Sequence, residues 1–158
     1  MEWSGIKSKT IFKKGETIFK LTDMKAIELR IKNYVWDDYS GKMIVSGISQ
    51  PNGLKETLNL KKHNGLPEGS YLCEGIQPIP LTEEWLLKFH SNKDEIEKSK
   101  RFPNKITIYD RFLFIWKEEY KYWYVITSNH KEYLTKIEFV HEYQNFIFAL
   151  TGEELILK

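Results

Sequence analysis

Lys105-Ile106-Thr107-Ile108-Tyr109-Asp110-Arg111-Phe112-Leu113-Phe114-Ile115-Trp116-Lys117-Glu118-Glu119-Tyr120-Lys121-Tyr122-Trp123-Tyr124-Val125-Ile126-Thr127 is the densest run of β-branched and aromatic residues in the chain. Residues 105–109, 112–117 and 122–127 read as three strands opened by Pro103 and Asn104. The connections, Asp110-Arg111 and residues 118–121, are too short for a crossover. An antiparallel meander, with consecutive strands side by side, is therefore the cheapest topology. On the middle strand Phe112, Phe114 and Trp116 share one face, and Leu113 and Ile115 the other. Such a strand is covered on both faces, or covered on one and used for contact on the other.

Downstream, Thr135-Lys136-Ile137-Glu138 has the spacing of a capping box, with Leu134 and Phe139 as a hydrophobic staple. Phe139, Val140, Tyr143, Phe146, Ile147 and Leu150 recur on one helical face, opposite Glu138, Glu142 and Asn145, and Gly152 supplies a stop. Full burial of that stripe contributes on the order of 10 kcal/mol before entropy is counted. This helix is expected to anchor the sheet.

Upstream, Thr82 precedes Glu83 and Glu84, acids suited to a first helical turn, while Leu81 and Leu86 form a staple. This predicts a second, shorter helix ending near Phe89. Residues 91–101 read as a mobile connection or a frayed extension of it. Before Pro78 and Pro80 come strand-like runs at 29–35, 42–48, 54–60 and 71–76. Turns at 37–41 and 51–53 and a loop at 61–70 separate them. Short strands joined by tight turns suggest an SH3-like or otherwise partly open barrel. The triplets Thr10-Ile11-Phe12 and Thr17-Ile18-Phe19 flank Gly15 and read as a hairpin. The expected fold is α+β, an antiparallel, partly open barrel-like or meander sheet packed by helices at about 82–90 and 136–150. Residues 1–23 are expected to form an N-terminal hairpin appendage and 25–158 a single domain, with Met24 able to serve as a start.

A chain of 158 residues buries enough surface to hold a core without disulfides or metals. Its 15% aromatic content sets disorder aside. Net charge is +2, with a surplus of +4 in residues 1–35 and −2 in the rest. A weakly basic N-terminal region suits an acidic partner or a phosphate backbone, or simply solvates strands. Cys73 is the only cysteine, which excludes an internal disulfide and any multi-cysteine zinc or iron–sulfur site. The first 20 residues hold no continuous apolar stretch, and no run nears the roughly 20 residues of a membrane span. The cytoplasm is the expected location.

The sequence lacks a phosphate-binding Gly-x-x-x-x-Gly-Lys-Ser/Thr loop, a Gly-x-Gly-x-x-Gly turn and a Gly-x-Ser-x-Gly elbow. His141-Glu142 begins like a zincin motif, but Asn145 and Phe146 stand where a second histidine is needed. The four histidines, at 63, 90, 130 and 141, have no spacing that asks them to converge. The acidic pairs Asp37/Asp38, Glu83/Glu84, Glu118/Glu119 and Glu153/Glu154 fit turn, cap and tail roles. No catalytic residue, metal site or cofactor is expected. The better candidates for function are Arg111, Trp116, Lys117, Tyr120, Lys121, Tyr122 and Tyr124, with Lys9, Lys13 and Lys14 of the N-terminal hairpin. Aromatics interleaved with cations suit a protein hot spot or a base-stacking platform for single-stranded nucleic acid, although about half of these rings are expected simply to pack in the core.

Two stretches carry a resemblance. They are Pro78-Ile79-Pro80-Leu81-Thr82-Glu83-Glu84-Trp85-Leu86-Leu87-Lys88-Phe89 and residues 139–155, which end Ala149-Leu150-Thr151-Gly152-Glu153-Glu154-Leu155. Over about residues 25–155 the chain resembles a family of small proteins from phages, prophages and mobile elements of Bacteroidota. Both motifs are helix-and-cap wording and bring no active site with them. Lys32 and His90-Ser91 depart from the family pattern where glycine-containing wording is expected. Proteins of this origin without enzyme motifs often act by stoichiometric binding to a host machine. The resemblance therefore implies an anti-defence role, such as an anti-CRISPR inhibitor of an RNA-guided nuclease. The partner would be a host protein or ribonucleoprotein complex, with possible RNA contact and no membrane. The alternative is a non-catalytic single-stranded RNA-binding module.

Overall fold

The computed structural model describes residues 25–49, 56–62, 69–90, 95–129 and 132–157. The expected hairpin around Gly15, the lysines at 9, 13 and 14, Met24, the turn at 51–53, His63 and His130 lie outside the described residues.

The first half builds one antiparallel sheet from β1 (Tyr34–Asp37), β2 (Gly41–Ser49), β3 (Thr57–Lys62), β4 (Gly69–Leu72) and β5 (Ile76–Gln77), in the order β4-β3-β2-β1-β5. Strands β4 and β5 are the two edges, yet only the 3-10 turn Cys73–Gly75 joins them. In a flat sheet those edges would stand about 19 Å apart, four spacings of roughly 4.8 Å. Four residue steps reach about 14 Å when fully extended, and less in a 3-10 turn. The sheet must therefore curl, and it forms a partly open barrel. Val35, Met43, Val45, Leu58, Leu60, Cys73 and Ile76 fill its interior, and Cys73 has the expected role of a small buried hydrophobe.

The strand expected from residue 29 begins only at Tyr34. Residues 29–33 form a turn, in which the Arg30 N–H donates to Asn33 Oδ1 at 2.7 Å. Lys32 within it has φ +77°, a left-handed conformation that glycine adopts without penalty.

The second half builds the expected meander and extends it at both edges. Strands β6 (Ile96–Lys98), β7 (Lys105–Ile108), β8 (Phe112–Lys117), β9 (Tyr122–Thr127) and β10 (Tyr133–Ile137) are hydrogen-bonded in sequence order. Part of the polar stretch after the first helix is thus an edge strand, not a helical extension. Helices α1 (Glu83–Phe89) and α2 (Val140–Thr151) contribute to one core with Ile106, Ile108, Phe114, Trp123 and Val125. The other face of this sheet is free of both helices.

Helix α2 starts at Val140, four residues later than the capping-box wording predicts. Residues 133–137 pair with β9 instead, and Leu81 and Val140 donate backbone hydrogen bonds across to Glu138 and Ile79. Tertiary pairing outweighs the local cap. Glu142 does the capping, accepting from the backbone N–H groups of Glu138 (2.7 Å) and Phe139 (3.1 Å). Thr82 holds the N-cap position of α1, but its side chain makes no capping bond. Gly152 ends α2 in the left-handed conformation, as its position predicts.

Helix α2 also joins the barrel to the second sheet. Gln144, buried on its face, accepts the Tyr34 N–H at 2.8 Å and donates to the carbonyls of Lys32 (3.1 Å) and Leu155 (2.9 Å). Beside it Asn145 accepts from Asn33 Nδ2 and donates to the Glu28 carbonyl, while Arg30 pairs with Glu154 at 3.0 Å.

Candidate functional site

Strand alternation and register decide which candidate residues share a surface. Trp123 and Val125 of β9 point into the core, which sends Tyr122, Tyr124 and Ile126 to the opposite, outer face. Across the ladder Lys117 lies opposite Tyr122, Ile115 opposite Tyr124 and Leu113 opposite Ile126. Lys105 and Thr107 of β7 continue those rows, as do Tyr133 and Lys136 of β10. The outer face is thus an aliphatic and tyrosine centre flanked by lysines.

Its rings are already arranged. Tyr120 and Tyr122 stack at 5.7 Å, and Tyr124 and Tyr133 at 4.7 Å, each pair within 24° of parallel. Lys117 Nζ sits 5.7 Å from the Tyr124 ring and Lys136 Nζ 5.8 Å from the Tyr122 ring. Tyr120 and Tyr133 are more than half exposed, at 61% and 54%. Leu113 is only 7% exposed although it faces away from both helices. Lys136 is paired with Glu138 at 3.0 Å, and Lys121 with Glu118. Lys105 and Lys117 have no carboxylate at ion-pair distance among the described residues.

The candidates from the sequence therefore divide. Lys117, Tyr122 and Tyr124 share the outer face, with Tyr120 and Lys121 at the hairpin tip beside it. Trp116 lies on the helix-facing side against Trp123 at 5.3 Å, and Arg111 is at the far end of β8. Sequence reading missed Tyr133 and Lys136, because the capping-box wording around them pointed to a helix.

The two described histidines are buried and face the core. His90 lies between Glu95 Oε2 (3.1 Å from Nδ1) and Tyr143 Oη (2.5 Å from Nε2). Burial pushes the imidazole below its ordinary pKa, partly opposed by Glu95, and holds the enclosed Tyr143 phenol well above its own. His141 is 2% exposed, its Nδ1 has no hydrogen-bond partner among the described residues, and burial lowers its pKa to about 4. The unfolded value is near 6.5, so the unfolded chain takes up the proton first. The neutral ring's contribution to stability is complete above about pH 6.5 and is lost as pH falls towards 4, on the order of 3 kcal/mol. Urea midpoints should accordingly fall between pH 7 and pH 4.5, and His141→Leu should flatten part of that fall without destabilising the protein at pH 7. An unchanged pH dependence in His141→Leu would contradict this assignment.

Several members of the acidic pairs have structural partners. Asp37 accepts from the Ser40 N–H, Glu83 pairs with Lys98 and Glu84 with Lys88. Among the described residues no three of His, Cys, Asp and Glu converge to hold a metal, and no helix is long and apolar enough to cross a membrane. No protein-family model matches the chain, nor does any curated protein or solved structure.

Proposed function

We propose that this α+β protein acts by stoichiometric binding, docking the outer face of its second sheet onto a protein partner. The observation that carries this reading is the tyrosine face itself. Tyr120, Tyr122, Tyr124 and Tyr133 are pre-stacked in pairs around Leu113, Ile115 and Ile126, so little side-chain entropy is lost on contact. Rigid tyrosines around an apolar centre with a lysine rim have the composition of an interface core and its border.

The same face suits nucleic acid less well. Its tyrosines stack on each other in pairs, and Lys121 and Lys136 are already neutralised by Glu118 and Glu138, which leaves Lys105 and Lys117, among the described residues, as the unpaired cations for a phosphate backbone. The resemblance to mobile-element proteins directs the search to host defence machinery inside the cell. An RNA-guided nuclease is the first target to assay, with the protein as its inhibitor. Capture from host lysate before and after nuclease digestion tests the reading. One protein should remain bound after digestion, at a level close to the bait. Loss of every partner on digestion favours the RNA-binding alternative and contradicts protein docking.

A further inference from the structure

We propose that the cleft between the start of α1 and the β8–β9 hairpin is a socket for one alkylammonium head group, lysine-like or methylated. It lies on the helix-facing side of the hairpin, away from the tyrosine face, and stands whether or not that face docks a partner.

The cleft has a volume of about 220 Å3 and is lined by Thr82, Glu83, Pro103, Asn104, Trp116 and Trp123. Pockets for drug-sized ligands and cofactors run from roughly 300 Å3 upward, so this one suits a single head group. Two of its walls are indoles, 5.3 Å apart and inclined at 52°. Both indole N–H groups are satisfied within the chain, Trp123 donating to the Leu81 carbonyl at 3.0 Å and Trp116 to Glu118 Oε2 at 2.5 Å. The half-buried Trp116 therefore offers a guest its electron-rich ring and not its donor, with Trp123, 3% exposed, packed behind it as the floor of the cleft. A carboxylate at the Trp116 N–H polarises that ring further towards attracting a cation.

The remaining chemistry points the same way. Glu83 lines the cleft and already holds one alkylammonium, Lys98 Nζ at 2.6 Å, from the short edge strand β6. An anionic guest is opposed by Glu83. A neutral apolar guest desolvates Glu83, Thr82 and Asn104 without offering them a partner. An ammonium satisfies the carboxylate and lies against the indoles, and it competes with Lys98 for the same oxygen.

The competition makes the site testable. The full chain is titrated with tetramethylammonium, capped lysine, capped Nε-trimethyl-lysine and the neutral isostere 3,3-dimethylbutan-1-ol, following the Trp116 and Trp123 indole N–H resonances. Saturable shifts are expected with the cations, with the isostere about tenfold weaker. Lys98→Met should tighten binding several-fold, Glu83→Gln should weaken it several-fold, and Trp116→Leu should abolish it with the unfolding midpoint as the folding control. Stronger binding of the capped residues than of tetramethylammonium upholds the socket and assigns it to a protein side chain. The reverse ranking upholds it and assigns it to a free quaternary ammonium compound. Equal binding of the neutral isostere, or no saturable shift in both wild type and Lys98→Met, overturns the proposal.

Discussion

Replacing Ile147 by aspartate is expected to unfold the protein. Ile147 is fully buried on α2 within the core that also holds Phe114, Tyr143, Val140 and Leu86. The substitution removes a branched apolar side chain and places a carboxyl group where the core is built from hydrocarbon and rings. That group must ionise without a partner or stay protonated at a cost, and either penalty adds to the lost burial. The sum is about 5 kcal/mol or more, comparable to the whole stability of a typical domain. Far-ultraviolet circular dichroism and tryptophan fluorescence of the variant should match those of the urea-unfolded wild type. A cooperative unfolding transition within about 2 kcal/mol of wild type would contradict the packing described for α2.

Gln144→Ala is expected to be the most damaging polar substitution. One amide satisfies three backbone groups, the Tyr34 N–H and the Lys32 and Leu155 carbonyls, at the seam between barrel, helix and C-terminal segment. Alanine leaves all three without that partner and opens a gap. At about 1–3 kcal/mol for each of the two fully buried groups, the Tyr34 N–H and the Leu155 carbonyl, the loss is on the order of 2–6 kcal/mol, with a smaller addition from the partly buried Lys32 carbonyl. Gln144→Glu keeps the acceptor for Tyr34 but sets a carboxylate against two carbonyls, so it should not rescue. Urea unfolding with paired probes measures both. If Gln144→Ala costs less than about 1 kcal/mol, the seam is held by something other than this amide.

Residues 105–127 made half of the fold legible because their signal is local. Alternation, short connections and β-branched or aromatic content all agree there, and the meander follows from them. The curl of the first sheet was legible more coarsely, since short strands and tight turns suggest a small barrel. The three-residue link that forces closure was hidden inside a run that reads as extended. Misreadings arose where a local signal met a distant partner. Thr135 to Glu138 has capping-box spacing, but Ile137 pairs with Trp123 and the strand takes precedence. Residues 29–33 alternate like a strand, yet Asn33 folds them into a turn that seats Lys32 at positive φ. Gln144 escaped notice altogether, because nothing in the sequence reveals that a polar residue on a helix will meet three backbone groups from elsewhere. The site was half legible for the same reason. Tyr122 and Tyr124 announce themselves within one strand, whereas Tyr133 joins them only through a pairing that the cap wording concealed.

The outer face of the second sheet is tested most directly by repeating the nuclease-treated capture with Tyr122→Ser and Tyr124→Ser combined. Both rings are half-buried on a surface and outside the core, so the double variant should keep its circular dichroism and most of its unfolding midpoint. The wild type should retain its protein partner after digestion, and the double variant should lose it by about tenfold or more. Undiminished capture by a folded double variant would contradict docking through this face.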